Sequence, residues 1–251
     1  MIKLEERGKK IPDHFVQTTE YRHYTIQSIP LELKITPLIF PPSAHGLCFA
    51  EHLIIHPGET VIDIGTGSGL LGILAAKLGG EVCVTDTDAD AISVTHGNAM
   101  RNDVKITSSV GPFFAGFNDQ TFDVIVANLP QEILPPAYQQ TIGEKLTKTV
   151  HGGECGNECL LELFGLAKHH MSRSSRLYTL VSSLSDYQTT FEMIREQYRM
   201  KILYENWEPQ KDFVPKYLDF YLNLEKHGLV KLIQQDGIWK SYEYIVELTL
   251  N

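Results

Sequence analysis

The sequence holds no apolar run long enough to span a membrane, and its opening stretch, Met1-Ile2-Lys3-Leu4-Glu5-Glu6, lacks the apolar core of a signal peptide. A cytoplasmic location without a membrane partner is the expectation. Cysteine is scarce. Cys48, Cys83, Cys155 and Cys159 form no small disulfide framework in 251 residues. Basic charge is also short: 22 Lys and Arg stand against 31 Asp and Glu, a net charge of −9. Nucleic acid requires a basic footprint, so this balance argues against it as a partner, with a local basic patch left open. Internal repeats and low-complexity tracts are absent.

What is present suits a globular chain. Hydrophobic residues make up 43% of it, enough for a sizeable core. The length suits one large domain, or one domain with an appendage. Residues 1–30 are polar and dotted with aromatics (Phe15, Tyr21, Tyr24), and read as an arm or weak helix. Pro37, Pro41 and Pro42 then favour extended chain. Residues 43–55 read as a helix capped by Ser43, with Leu47, Ala50, Leu53 and Ile54 at apolar spacing and Pro57-Gly58 as the stop.

From there strands and helices alternate. Strands are expected at 60–64, 81–85, 105–109, 122–127 and 177–181, and helices at 69–78, 89–100, 158–169 and 186–197. Alternation of this kind implies a parallel sheet covered by helices, with ligand beyond the carboxyl ends of the strands. Residues 213–226 form a further helical candidate. Gln235-Asp236-Gly237-Ile238 reads as a hairpin turn, and 244–250 as a strand.

The richest segment is Val61-Ile62-Asp63-Ile64-Gly65-Thr66-Gly67-Ser68-Gly69. It is a buried strand ending in an acid, then a glycine hinge opening a helix. Glycines let backbone approach a ligand and tolerate positive φ. Dinucleotide sites also use such loops, but the register fits poorly. Counting from Gly65, the third glycine falls on Leu70; counting from Gly67, the strand ends two residues early. Asp63 would also repel a diphosphate. S-adenosylmethionine carries an ammonium and no phosphate, which suits Asp63. Asp86, ending the second strand, lies where a carboxylate accepts ribose hydroxyls.

Four stretches together resemble the class I S-adenosylmethionine-dependent methyltransferases. They are Asp63–Gly69, Val84-Thr85-Asp86-Thr87-Asp88, Asn98-Ala99-Met100-Arg101-Asn102 and Phe122-Asp123-Val124-Ile125-Val126-Ala127-Asn128. The resemblance implies a Rossmann-like α/β fold. Its sheet has seven mostly parallel strands, helices on both faces and a reversed last strand, for which 244–250 is suited. It implies a cofactor-binding core at 43–204, an N-terminal arm or lid at 1–42, and a cap insertion with the last core strand at 205–251. The cofactor-binding residues it implies are Asp63, Gly65, Thr66, Gly67, Gly69, Asp86, Thr87 and Asn128.

Asn128-Leu129-Pro130-Gln131 follows the fourth strand and resembles the Asn-Pro-Pro-Tyr motif of methyltransferases acting on planar nitrogens. A planar nitrogen is a poor nucleophile because its lone pair is delocalised. An Asn side-chain oxygen and the next carbonyl accept its two hydrogens and aim it at the methyl group. Asn128 and the Leu129 carbonyl keep both acceptors, and Pro130 keeps the local stiffness. Gln131 replaces the aromatic that stacks on a planar substrate, which directs the reading toward an amine, amide or guanidinium of a small molecule or protein side chain. A non-catalytic binding module and a small-molecule O-methyltransferase are the alternatives. An Asn128 that only caps the loop and contacts cofactor is another.

Gly152-Gly153-Glu154-Cys155-Gly156-Asn157-Glu158 and Leu180-Val181-Ser182-Ser183-Leu184 resemble a stretch of the glutamine methyltransferases, and the ribosomal-protein methyltransferases share the pattern around the glycine loop. Other groupings are weaker. His151, Cys155 and Cys159, with His169 and His170 nearby, have zinc-like spacing, but methyl transfer needs no metal. His45 is a candidate general base or a loop histidine with a backbone partner. Tyr21 and Tyr24 are candidates for a substrate lid or for plain packing. Trp207-Glu208-Pro209 and 213–226 either cap the site or form an appendage or dimer surface. Glu205, Glu208, Asp212 and Asp219 suit either a cationic substrate or a solvated face.

Overall fold

The computed structural model describes residues 16–37, 39–209 and 213–251. Phe15 and Asp212 therefore lie outside the described residues.

The first element among the described residues is a hairpin, β1 (Glu20–Ile26) and β2 (Ile29–Ile35), where an arm or weak helix was expected. Leu31, Leu33 and Ile35 alternate into the core, the period-two pattern of a half-buried strand. The turn has Gln27 and Ser28 at φ 51° and 64°, the left-handed geometry that two-residue hairpins favour. Glycine or asparagine normally marks such a turn, and neither is present. Helix α1 (Ala44–Glu51) follows, with the Ser43 hydroxyl accepting the Gly46 amide at 3.1 Å as the sequence suggested.

The alternating elements come next: β3 (Thr60–Ile64), α2 (Leu70–Lys77), β4 (Glu81–Asp86), α3 (Ala89–Arg101), β5 (Ile106–Val110) and β6 (Phe122–Ala127). Then come α4 (Pro136–Thr147), α5 (Glu158–Ala167), β7 (Met171–Ser182), α6 (Tyr187–Gln197) and β8 (Tyr198–Pro209). The chain continues through α7 (Phe213–Lys216), α8 (Leu218–Lys226), β9 (Leu232–Gln235) and β10 (Ile238–Leu250). The central sheet runs in the order β5-β4-β3-β6-β7-β10-β8, with β9 paired to β10. Strands β3 to β7 pair in parallel, while β10 is antiparallel to both β7 and β8. The reversed strand expected at 244–250 is thus present, and starts earlier.

Two further elements were not foreseen. β8 was missed because Arg199, Lys201 and Glu205 give this edge strand a polar look. Charge on an edge strand discourages unwanted pairing and hides the strand from periodicity. α4 was missed because Gly143 sits inside it at φ 81°, ψ 166° and breaks the helical repeat.

Apolar side chains pack on both faces of the sheet, with Val61, Leu74 and Val84 on one and Ile62, Ile125 and Phe164 on the other. A third cluster stands apart. It joins Tyr138, Ile142 and Leu146 of α4 to Phe213, Val214, Tyr221 and Leu232. The buried Tyr221 hydroxyl donates to the Ile133 carbonyl at 3.0 Å. The residues after β8 are therefore fastened to α4, and α4 roofs the carboxyl ends of the parallel strands. Among the described residues, no helix is long and apolar enough to cross a membrane.

Candidate active site

A cavity of about 1180 Å³ opens at the carboxyl ends of β3, β4 and β6. One wall is the turn between β3 and α2. Gly65 and Gly67 have φ 70° and 56°, so side chains there would be strained. A Cβ on Gly65 would lie 2.9 Å from Leu129 Cδ2, whereas one on Gly67 would meet nothing within 4 Å. The first glycine permits close packing, and the second leaves bare backbone. Gly69 is not on the cavity wall. Its φ of 88° starts α2, and a Cβ there would lie 2.9 Å from both Ile73 and Thr95.

The acids flanking this turn fasten it. Asp63 is 1% exposed, and its Oδ2 accepts the Thr66 hydroxyl at 2.7 Å and the Gly72 amide at 2.9 Å. Burial raises its carboxyl to about 6, against the opposing pull of those two donors. Asp86 accepts the Gly67 amide on Oδ2 and the Asp88 amide on Oδ1, both at 2.9 Å. Burial pushes its carboxyl upward as well. The Thr85 carbonyl accepts both the Gly65 and Thr66 amides.

Asn98 and Asn102, one turn apart on α3, explain another matched stretch. Asn98 accepts the Lys34 amide at 2.7 Å and donates to the Lys34 and Ser68 carbonyls. Asn102 accepts the Glu32 amide and donates to the Glu32 carbonyl. Two helical side chains thus stand in for a strand beside β2 and tie the hairpin to the glycine turn.

Across the cavity lie Asn128, Leu129 and Pro130. Gly46 faces Asn128, and a Cβ on it would lie 3.4 Å from Asn128 Nδ2. Gln131 faces away from the cavity, 5% exposed and bonded to β7. Asp63, Gly65, Thr66, Gly67, Asp86 and Thr87 share the cavity with the Asn128 segment. Sequence reasoning missed a third wall, in which Phe40 faces α4 with Glu144, Lys145 and Lys148. Lys145 bridges Asp88 at 2.9 Å and Asp90 at 2.6 Å, closing α4 onto α3. No recognisable motif marks it.

Other candidates sit elsewhere. His45 is on helix α1 rather than a loop, and lines a separate cavity of about 200 Å³ with Cys48, Tyr204, Glu208 and Glu243. That placement removes it from the acceptor side of the main cavity. Tyr21 is half exposed under the Arg101 guanidinium, and neither it nor Tyr24 lines the cavity. Cys159 touches the cavity, His151 Nδ1 lies 3.1 Å from the Glu132 carbonyl, and His170 stacks on Phe114. Glu205 and Glu208 belong to β8, and Asp219 to α8.

The sheet order, the reversed β10 and the glycine turn above β3 decide the architecture. The chain has the fold of the class I S-adenosylmethionine-dependent methyltransferases. A family model for ribosomal protein L11 methyltransferase (PrmA) matches residues 45–151. A ribosomal protein L11 methyltransferase of Thermus thermophilus is 40% identical over 96 residues, covering 37% of this chain and 37% of that protein. A Methanocaldococcus jannaschii protein assigned by name to protein N5-glutamine methylation is 26% identical over 166 residues, covering 66% of this chain and 83% of that one. Among solved structures, the T. thermophilus 16S rRNA N2 G1207 methyltransferase, in complex with AdoMet and guanosine, superposes with a TM-score of 0.58. Its identity is 14%, over 91% of this chain and 51% of that one, a likeness of class I fold. The chain matches well under half the length of the Thermus and Dictyoglomus L11 methyltransferases.

Proposed function

We propose that this chain transfers a methyl group from S-adenosylmethionine to a nitrogen, with a protein side chain as the favoured acceptor. The observation that carries the proposal is the placement of Asp63, Gly67 and Asp86 on one wall of a cavity and Asn128 on another.

The residues present fit the cofactor. Gly67 presents bare backbone, Asp63 disfavours a phosphate at the turn, and about 1180 Å³ leaves room for an acceptor beside the cofactor. Asp86, with Thr87, would hold the ribose. Each Asp86 oxygen accepts a single backbone amide and keeps a lone pair. Asp63 would face the cofactor's ammonium, and Gly65, Thr66 and Gly67 would line its methionine portion. When bound, the cofactor supplies an electrophilic methyl group.

The chain's own residues do the rest. Asn128 Oδ1 and the Leu129 carbonyl would accept the acceptor's N–H hydrogens and orient its lone pair. Pro130 stiffens the segment that carries them. α4, held down by Lys145, would shield the bound cofactor and acceptor from water. Because the Gln131 side chain turns to β7, position 131 offers no stacking surface to a nucleobase. The relatives named for ribosomal protein L11 and for protein glutamine support a protein nitrogen.

Calorimetric titration with S-adenosylmethionine and its demethylated product tests the first half. Binding of both is expected, and silence at about millimolar ligand removes the cofactor assignment. Turnover against proteins and peptides bearing free lysine or glutamine tests the second half. Product from none of them, with binding intact, favours a non-catalytic module.

A further inference from the structure

β6 ends at Ala127, whose carbonyl accepts the Thr179 hydroxyl of β7 at 2.9 Å. The chain then leaves the sheet for three residues, Asn128, Leu129 and Pro130, all on the cavity wall. It returns at Gln131, where the side-chain amide takes the place of a strand. Gln131 Nε2 donates to the Leu180 carbonyl at 2.7 Å, and Oε1 accepts the Ser182 amide at 3.0 Å. The three cavity residues are thus an arch pinned to β7 at both feet. On the side of the glycine turn, Leu129 packs where a Cβ on Gly65 would stand.

The Gly152–Gly156 stretch locks the second foot from outside. A Cβ on Gly152 would lie 2.6 Å from Gln131 Cα and would collide with the Gly156 carbonyl. One on Gly156 would lie 2.7 Å from the Gln131 carbonyl. The neighbouring backbone completes the lock, with Glu132 donating to Val150 at 3.1 Å and Gly152 donating to Glu132 at 3.0 Å. Only bare backbone fits this close against residue 131.

We infer that Gln131 is the positioning residue of the acceptor site. From outside the cavity it holds the arch on which Asn128 and the Leu129 carbonyl are carried, and Gly152 and Gly156 keep its foot in place. The role in turnover rests on the methyltransferase reading; the role in holding the arch does not. Both polar ends of the Gln131 side chain are used, so no single-function residue of similar size replaces it. Leucine keeps the volume and loses both bonds. Glutamate keeps the acceptor for Ser182 and, when ionised, loses the donor to Leu180.

The test compares wild type, Gln131→Leu and Gln131→Glu. The Asn128 side-chain amide is followed by nitrogen-edited NMR, its signals identified by their loss in Asn128→Ala. Cofactor affinity is measured calorimetrically on the same samples. The signals should shift and broaden in both variants while cofactor affinity stays within about twofold, and turnover should fall at least about tenfold. Unchanged Asn128 signals in a folded variant overturn the inference. So does a loss of cofactor affinity as large as the loss of turnover, which marks a merely structural residue. In wild type the Ser182 amide should exchange slowly with solvent, and fast exchange overturns the pinning even if neither variant folds. A wild type that binds no S-adenosylmethionine removes the proposed function, and the ligand-free NMR comparison still decides the arch.

Discussion

The Asp86 carboxylate accepts the Gly67 amide at 2.9 Å, joining the end of β4 to the tip of the turn above β3. The acid assigned to the ribose is thus also a strut of the glycine turn. Removing it disturbs two things at once. Asp86→Ala should weaken S-adenosylmethionine and its demethylated product alike by about ten- to a hundredfold, the scale of lost hydrogen bonds to a charged group. Asp86→Asn, which keeps one acceptor oxygen, should fall between. Calorimetry reads both, and equal affinity across the three proteins dismisses Asp86 from the ribose role.

Asp63 makes a pH prediction. Its carboxyl stands near 6 when folded, against a reference of 3.8. The folded state therefore holds this proton more tightly than the unfolded state does. The stability it confers is fully present below the unfolded value and is lost as pH rises through about 6. Asp63→Asn keeps an acceptor for Thr66 and Gly72 and removes the titration. Relative to wild type, the ligand-free variant should gain up to ~3 kcal/mol between about pH 4 and about pH 7. Urea denaturation across that range checks it, and parallel profiles would refute it. Cofactor binding should respond in the opposite sense, because a cationic ligand needs the ionised acid.

Asn128 separates chemistry from binding. Asn128→Ala should reduce turnover by about 10²–10³, the scale of losing one oriented polar contact at a reacting centre. Cofactor affinity should change only about two- to threefold, since the glycine turn and Asp86 are untouched. A fully active variant would rule out orientation of a planar nitrogen by this residue.

Lys145 governs retention. Its bridges to Asp88 and Asp90 hold α4 over the cavity, and its side chain is 36% exposed, so each bridge contributes modestly. Lys145→Gln should speed release of a fluorescent cofactor analogue by about two- to fivefold. Added salt should do the same to wild type and little to the variant. Stopped-flow displacement measures it, and matching salt responses in the two proteins would remove Lys145 from closure.

β3, β4 and β6 were readable because each is a short apolar run leading to a polar residue on the cavity wall: Asp63, Asp86 and Asn128. The hairpin of β1 and β2 was not, because Gln27 and Ser28 make a left-handed turn without glycine. The roof was hidden for another reason. Gly143 interrupts the period of α4, and its apolar face meets residues some eighty positions further on, such as Tyr221. The wall built on the glycine turn is local in sequence, whereas the roof is assembled from distant pieces that carry no motif. Gln131 looked like the loss of an aromatic, and only the distances to Leu180 and Ser182 give it a task of its own.

The place of β10 bears on the order in which the molecule can form. It lies between β7 and β8 although it follows both in sequence, and among the described residues β8 pairs with no other strand of the sheet. A growing chain can therefore lay down β3 to β7 by local parallel pairing, but β8 must wait unpaired until residues 238–250 have emerged. The residues of α7, α8 and β9 that brace the roof lie inside that same interval. Completion of the sheet and bracing of the roof are then one late event, and a shortened chain should keep the glycine-turn wall under an α4 that Lys145 holds down without that bracing.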